Sequence, residues 1–249
     1  MYPVLFRIGP LTIYTYGFFA FLGIVFGYLV CAKEAKRKQI ARDTFSNIIF
    51  WTIVFGFVGA RFLYVAIEFK QFLQHPLAVL FGRSGFVFYG GILSGFVALI
   101  FLTRKYSISF AKFGDVIALG IPLGHAFGRL GCFFYGCCYG RSTDSWIGVL
   151  FPPGSPAGAL RVKVIPTQLI SAFFLLLLFS FLMIYRTRSK FEGQVGIYYL
   201  LFYGVFRFII EFFRADPRGR LGPFSTSQII ALFLIVVGIF LWRRWRSAA

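Results

Sequence analysis

"GDVIALGIPLGHAFGRLGCFFY", residues 114–135, decides how this chain is read. At 1.5 Å per residue a helix of this length crosses a hydrocarbon core of about 30 Å, yet the segment holds His125 and Arg129 in its second half. An ionisable group inside a spanning helix costs roughly 2.5–3.5 kcal/mol on insertion scales, so one that persists usually faces a protein interior and marks function.

Comparable apolar runs lie outward on both sides, at about 11–31, 45–67, 86–103, 168–185, 194–213 and 224–242. The 249 residues are 59% hydrophobic and 14% charged, which excludes an ordinary soluble domain. The expectation is an all-α polytopic membrane protein of seven transmembrane helices. It forms a single domain over 1–249, with an outward (periplasmic) loop at about 136–167.

The formal net charge of +18 raises nucleic acid as a partner. The basic residues are scattered through short loops without a soluble arm, however, so no nucleic acid is expected. Topology accounts for them instead. Lys33, Lys36, Arg37, Lys38, Arg42, Arg104, Lys105, Lys112, Arg186, Arg188, Lys190, Arg243, Arg244 and Arg246 fall on one side of seven alternating spans, fourteen basic residues against nine on the other. The positive-inside rule makes that side cytoplasmic, with the N-terminus outside and the C-terminus in the cytoplasm. Only Arg7 precedes the first span after the initiating residue and no small-x-small pattern follows it, so an uncleaved anchor is expected.

Three arginines fall within spans: Arg61, Arg129 and Arg207. Each stands six residues before the outer end of its span, at Ile67, Tyr135 and Phe213, or roughly 9 Å below the boundary. Either the three snorkel separately to the outer headgroups or they share one chamber. Other polar groups gather at the same level: Tyr16, Tyr89 with Gly90 and Gly91, and Gln168. Tyrosines at that depth also serve as interfacial anchors. Glu211 follows Arg207, and Arg129 follows His125, by one helical turn, so each pair shares a helix face. Guanidinium groups open to the outer leaflet match phosphate oxygens, and a phospholipid headgroup fits best. Gly128, Gly131, Gly136 and Gly140 permit close backbone approach or a helix break.

"GRLGCFFYGCCYGR" at 128–141 and "YGVFRFIIEFFRADP" at 203–217 resemble the signatures G-R-x-G-N-F-x-N-G-E-x-x-G-R and Y-G-x-x-R-x-x-x-E-x-x-R of the bacterial phosphatidylglycerol:prolipoprotein diacylglyceryl transferases. "YTYGFF", "GARFLY", "FYGGILSG" and "PTQL" are similar to further blocks of that family, in the same order. The resemblance implies a multi-pass enzyme of the bacterial inner membrane. Its partners are phosphatidylglycerol, preprolipoprotein signal peptides and membrane lipids. It moves diacylglyceryl to the lipobox cysteine, forming a thioether and releasing glycerol-1-phosphate. The resemblance also implies that Arg129 and Arg207 engage the phosphate, with Glu211 fixing Arg207. Tyr16, Arg61, Tyr89, Gly90, Gly91, Cys132, Gly140 and Gln168 are then expected around the lipid, and no cofactor is called for.

Three departures from the family pattern bear on the chemistry. Tyr89 stands where the family has a histidine proposed as base, and Cys132 and Cys137 replace the signature asparagine and glutamate. His125 is the candidate replacement base, against a purely structural histidine. Cys132, Cys137 and Cys138 are expected to be packed or disulfide-bonded, with a reactive nucleophile as an alternative. C-x4-C-C is a poor zinc spacing, so no metal is expected. Two rival functions follow from the departures: a non-catalytic anionic-lipid binding or translocating protein, or a related transferase with another lipid or acceptor.

Overall fold

The computed structural model describes residues 4–9, 11–82, 85–216 and 219–247. They form two compact units, Met1–Lys33 with Gly114–Ala249, and Glu34–Phe113.

The first unit opens with a hairpin, β1 (Val4–Ile8) paired antiparallel to β2 (Leu11–Tyr14) in the register Ile8↔Leu11 and Phe6↔Ile13. The turn uses Gly9 at φ 55°, a region glycine enters without steric cost. These strands occupy the start of the expected 11–31 span, so helix α1 begins later, at Thr15, and runs on to Arg37. Its last residues belong to the second unit. Helices α6 (Phe110–Tyr135), α7 (Thr167–Tyr185), α8 (Gln194–Glu211) and α9 (Thr226–Arg246) follow, all close to the expected bounds.

Helix α8 stops two residues before the expected end. Phe212, Phe213 and Arg214 donate to carbonyls three residues back, a 3₁₀-type tightening that satisfies the last carbonyls. Arg207 therefore lies four residues from the end of its helix, not six, and Arg129 six from the end of α6. A second short hairpin, β3 (Arg220–Leu221) with β4 (Phe224–Ser225), leads into α9. Ser225 caps α9 by a reciprocal bond with Gln228, the capping-box arrangement. The fold is thus helical with two short hairpins.

Close helix approach organises this unit. A Cβ on Gly23 would meet the Gly124 carbonyl oxygen at 2.7 Å, and one on Gly120 would meet Gly27 O at 2.6 Å and collide with Cys31 Sγ. Helices α1 and α6 thus cross on bare backbone, the small-residue packing that membrane helices use in place of a hydrophobic drive. Farther along the same contact the start of α1 lies on Gly131, whose Cβ would meet Tyr16 at 3.1 Å. At the opposite end of α6, Asp115 accepts from the backbone N–H groups of Gly193 and Gly196, both at 2.9 Å. The buried carboxylate thereby caps the N-terminus of α8 across the bundle. Ala118, Leu119, Leu178, Leu182 and Val195 form the core between α6, α7 and α8.

The second unit holds α2 (Arg42–Ile67), the short α3 (Phe69–Gln74) and α4 (Pro76–Phe81), and α5 (Phe88–Lys105). Helices α2 and α5 pack through facing glycines: Gly90 lies on Gly59 and Leu63, Gly91 on Gly56 and Ala60. Ser94 donates to the carbonyl of Gly90 at 2.7 Å and lies 2.9 Å from that of Phe55.

Among the described residues six helices, α1, α2, α6, α7, α8 and α9, are long and apolar enough to cross a membrane. The run expected at 86–103 corresponds to α5. Large apolar side chains such as Phe62, Phe81, Phe173 and Phe233 are more than 60% exposed, a surface that suits lipid and not water.

Candidate functional site

Helices α1, α6, α7 and α8 of the first unit bring most of the expected residues together. His125 and Arg129 lie one turn apart on α6, and Arg129 Nε donates to His125 Nε2 at 3.2 Å. The ring of His125 meets Tyr203 of α8 edge-on at 5.5 Å. Arg129 and Arg207 are within electrostatic reach of each other and of that ring. Arg129 and Arg207 are two of the three arginines that the common-chamber reading grouped; the third, Arg61, belongs to the second unit.

Arg207 is held from one side only. Its Nη2 pairs with Glu211 Oε2 at 3.1 Å and donates to Ser227 Oγ of α9 at 2.8 Å. Its Nη1 is buried and has no hydrogen-bond partner among the described residues. A buried donor left unmade costs about 1–3 kcal/mol, more for a charged group, so this nitrogen is poised for an acceptor brought by a ligand. Gln168, at the start of α7, presents the complementary case. Its Nε2 donates to the Cys137 carbonyl at 2.6 Å, while Oε1 is buried without a hydrogen-bond partner among the described residues.

A third guanidinium completes the cluster. Gly140 donates to the Ile165 carbonyl, Arg141 to that of Phe213, and Ala215 to that of Tyr139, which ties the chain after α6 to the end of α8. A Cβ on Gly140 would meet Ile165 O at 2.7 Å and Phe213 O at 2.8 Å, so only glycine fits. This junction sets Arg214 against Cys138 and pairs it with Asp216, with Nε to Oδ1 at 2.9 Å and Nη2 to Oδ2 at 3.0 Å. Arg214 also acts on Arg207. Among the described residues the three cations thus face two carboxylates, Glu211 and Asp216, with Cys138 beside Arg214.

Cys132, Cys137 and Cys138 adjoin this cluster. All are free and partly buried, and Tyr16 lies within electrostatic reach of all three and of Arg129. Hydrogen bonds from Cys132 and Cys137, followed by the Arg214 charge, pull the Cys138 thiol well below the ordinary thiol range. Cys137, hydrogen-bonded to Cys132 and Cys138 and partly buried, is pushed up.

Arg61, Tyr89, Gly90 and Gly91 belong to the second unit. Arg61 donates to the carbonyls of Leu80 (2.9 Å), Gly82 (3.1 Å) and Gly85 (2.9 Å), and its guanidinium lies over the rings of Tyr64 and Phe86. Gly90 and Gly91 serve the α2–α5 contact described above, and Tyr89 is about half exposed.

The family model for prolipoprotein diacylglyceryl transferase matches residues 3–244. This chain belongs to that family. A phosphatidylglycerol–prolipoprotein diacylglyceryl transferase of Clostridium tetani is 37% identical over 242 residues, covering 97% of each chain. One from Clostridium perfringens is 37% identical over 96% of this chain and 93% of its own, and one from Geobacter sulfurreducens is 33% identical over 95% and 92%. As a member of the transferase family, this chain carries segments 128–141 and 203–216 at and just beyond the ends of α6 and α8, and the structure brings them together through the Gly140–Arg214 bridge. Sequence reasoning placed Arg214 in the second signature without a site role and missed Ser227 and Tyr203. Arg214 lies beyond α8 and Ser227 on the next helix, so helical periodicity along α8 could signal neither.

Proposed function

We propose that this protein transfers the diacylglyceryl group of phosphatidylglycerol to the lipobox cysteine thiol of preprolipoproteins, forming a thioether and releasing glycerol-1-phosphate. The single observation that carries the reading is the buried Nη1 of Arg207, which has no hydrogen-bond partner among the described residues and lies within reach of the Arg129 and Arg214 charges. A phosphodiester carries one negative charge and supplies the acceptors that nitrogen lacks.

Arg129 and Arg207 hold the phosphate between α6 and α8, and Glu211 and Ser227 fix the second guanidinium so that Nη1 points at the ligand. Gln168 Oε1 accepts a headgroup hydroxyl, and Tyr16 borders the phosphate. The peptide sulfur attacks the glyceryl carbon, the C–O bond to phosphate breaks, and the departing dianion is stabilised by donors already in place. The thiol proton goes to His125 Nε2. Arg129 shares that nitrogen in the free protein, so phosphate binding to Arg129 releases the base as it positions the leaving group. With Tyr89 at the position of the family histidine, His125 is the imidazole at the site.

In this reading the chain is a multi-pass protein of the bacterial inner membrane. Helix α5 supplies a seventh span, and the site opens toward the outer leaflet with the N-terminus outside.

The test is direct. Protein purified in detergent is mixed with phosphatidylglycerol and a lipobox peptide, and the peptide is weighed by mass spectrometry. A diacylglyceryl increment on its cysteine is expected. Saturable phosphatidylglycerol binding without any increment would leave the non-catalytic lipid protein in its place.

A further inference from the structure

Three thiols meet where the sequence spacing gave no metal signal. Cys132 sits in the last turn of α6. Gly136 (φ 80°) and Cys138 (φ 63°) then turn the chain back on itself, and the sulfurs of Cys132, Cys137 and Cys138 all lie within 4.8 Å of one another. The left-handed conformation of Cys138 is unusual for a residue with a side chain and persists only where surrounding contacts over-determine it. Those contacts are present: Thr167 Oγ1 donates to the Cys138 carbonyl at 2.7 Å and Gln168 Nε2 to the Cys137 carbonyl at 2.6 Å. The start of α7 therefore holds both cysteines against the end of α6.

Neither packing nor a disulfide explains three converging sulfurs. A disulfide joins two and strands the third, and the adjacent pair Cys137–Cys138 is poorly matched to one. Trans neighbours have Cα atoms about 3.8 Å apart, short of the roughly 4.4–6.8 Å that a disulfide spans. A cation uses all three. With metal–sulfur bonds of about 2.3 Å, three sulfurs of a tetrahedral or trigonal site stand roughly 3.8–4.0 Å apart, so the cluster needs to close by less than about 1 Å. Arg214, hydrogen-bonded to Cys138, and Arg129, within reach of Cys132, place positive charge beside the sulfurs.

We propose that Cys132, Cys137 and Cys138 form a trithiolate site for a thiophilic d10 cation, either Zn(II) with an exogenous fourth ligand or Cu(I). Three metal–sulfur bonds form, and the thiol protons pass to solvent. Soft ligands without nitrogen or oxygen select such ions over magnesium or calcium. The site is independent of the transfer reading, since its binding is followed without substrate.

Full-length protein, reduced under argon and freed of reductant, is titrated with Cd(II) as spectroscopic probe. It is then titrated separately with Zn(II) and with Cu(I). The thiolate-to-cadmium charge-transfer band is expected to saturate at one equivalent per chain. Zn(II) or Cu(I) is expected to shield these three cysteines, and not Cys31, from iodoacetamide in peptide mass spectra. Whichever ion protects at the lower free concentration is the preferred one. C132S, C137S and C138S should each weaken binding at least tenfold, and C31S should not. The proposal is overturned if the wild-type band fails to saturate at one equivalent, if the three thiols alkylate equally with and without metal, or if all three serine variants bind like wild type. The first two measurements use the unaltered chain, so a variant that does not fold leaves the test intact.

Discussion

Replacing Arg207 with lysine tests the phosphate clamp most sharply, because it keeps the charge and removes the geometry. In the structure Nη2 is already committed to Glu211 at 3.1 Å and Ser227 at 2.8 Å, while Nη1 has no hydrogen-bond partner among the described residues. A guanidinium makes both sets of bonds at once through its rigid fork. A single ammonium drawn to Glu211 and Ser227 gives up the bond to the phosphate. A hydrogen bond to a charged group contributes about 1.5–3 kcal/mol. At about 1.36 kcal/mol per tenfold in rate, Arg207→Lys should lower kcat/KM for phosphatidylglycerol roughly 10- to 150-fold. The assay is initial-rate transfer to a lipobox peptide in mixed micelles across a series of phosphatidylglycerol concentrations. Size-exclusion profiles establish that the variant is folded. A folded R207K enzyme with wild-type kcat/KM would refute the reasoning, since it would mean that Nη1 never meets the substrate.

Three further outcomes follow from the same geometry. His125→Gln keeps an oxygen that can accept from Arg129 but cannot carry the thiol proton, so single-turnover transfer should fall by about 10²–10⁴; near-normal transfer would make His125 a positioning residue for Arg129. Gly140→Ala places a methyl against two carbonyl oxygens at 2.7 and 2.8 Å, and should cost roughly 1–3 kcal/mol, read as a lowered Tm in detergent with loss of transfer. Asp115→Ala removes the cap on α8 at the end of the bundle opposite the cluster and should destabilise by about 0.5–2 kcal/mol. In thermal unfolding this appears as a lower Tm, with transfer at low temperature retained; an unchanged Tm would dismiss the cap.

Chain composition and periodicity alone identified the class of protein, because a bilayer dictates element length from outside. Uninterrupted apolar runs have one stable form in hydrocarbon, so the ends of α2, α6 and α7 were legible within a few residues. Arg129, Arg207 and Glu211 were legible for a related reason: a charge at that depth is costly enough to announce itself wherever it stands, and one-turn spacing put each beside its partner. Positions governed by local backbone chemistry were less so. The hairpin at 4–14 shortened the first span because its alternation merges with the apolar run that follows. Arg61, with the same helical position as Arg129, donates to the carbonyls of Leu80, Gly82 and Gly85, which its spacing along α2 could not signal.

What only the tertiary structure decided was convergence. Arg214 and Ser227 reach Arg207 and its surroundings because the bridge at Gly140 and the capped start of α9 bring distant segments together. Three cysteines spaced without a metal pattern meet because two left-handed residues reverse the chain and α7 pins their carbonyls. Sequence spacing reports proximity only along one regular helix. Once the chain leaves the helix, distances are set by hydrogen bonds between remote segments, and those exist only in the fold.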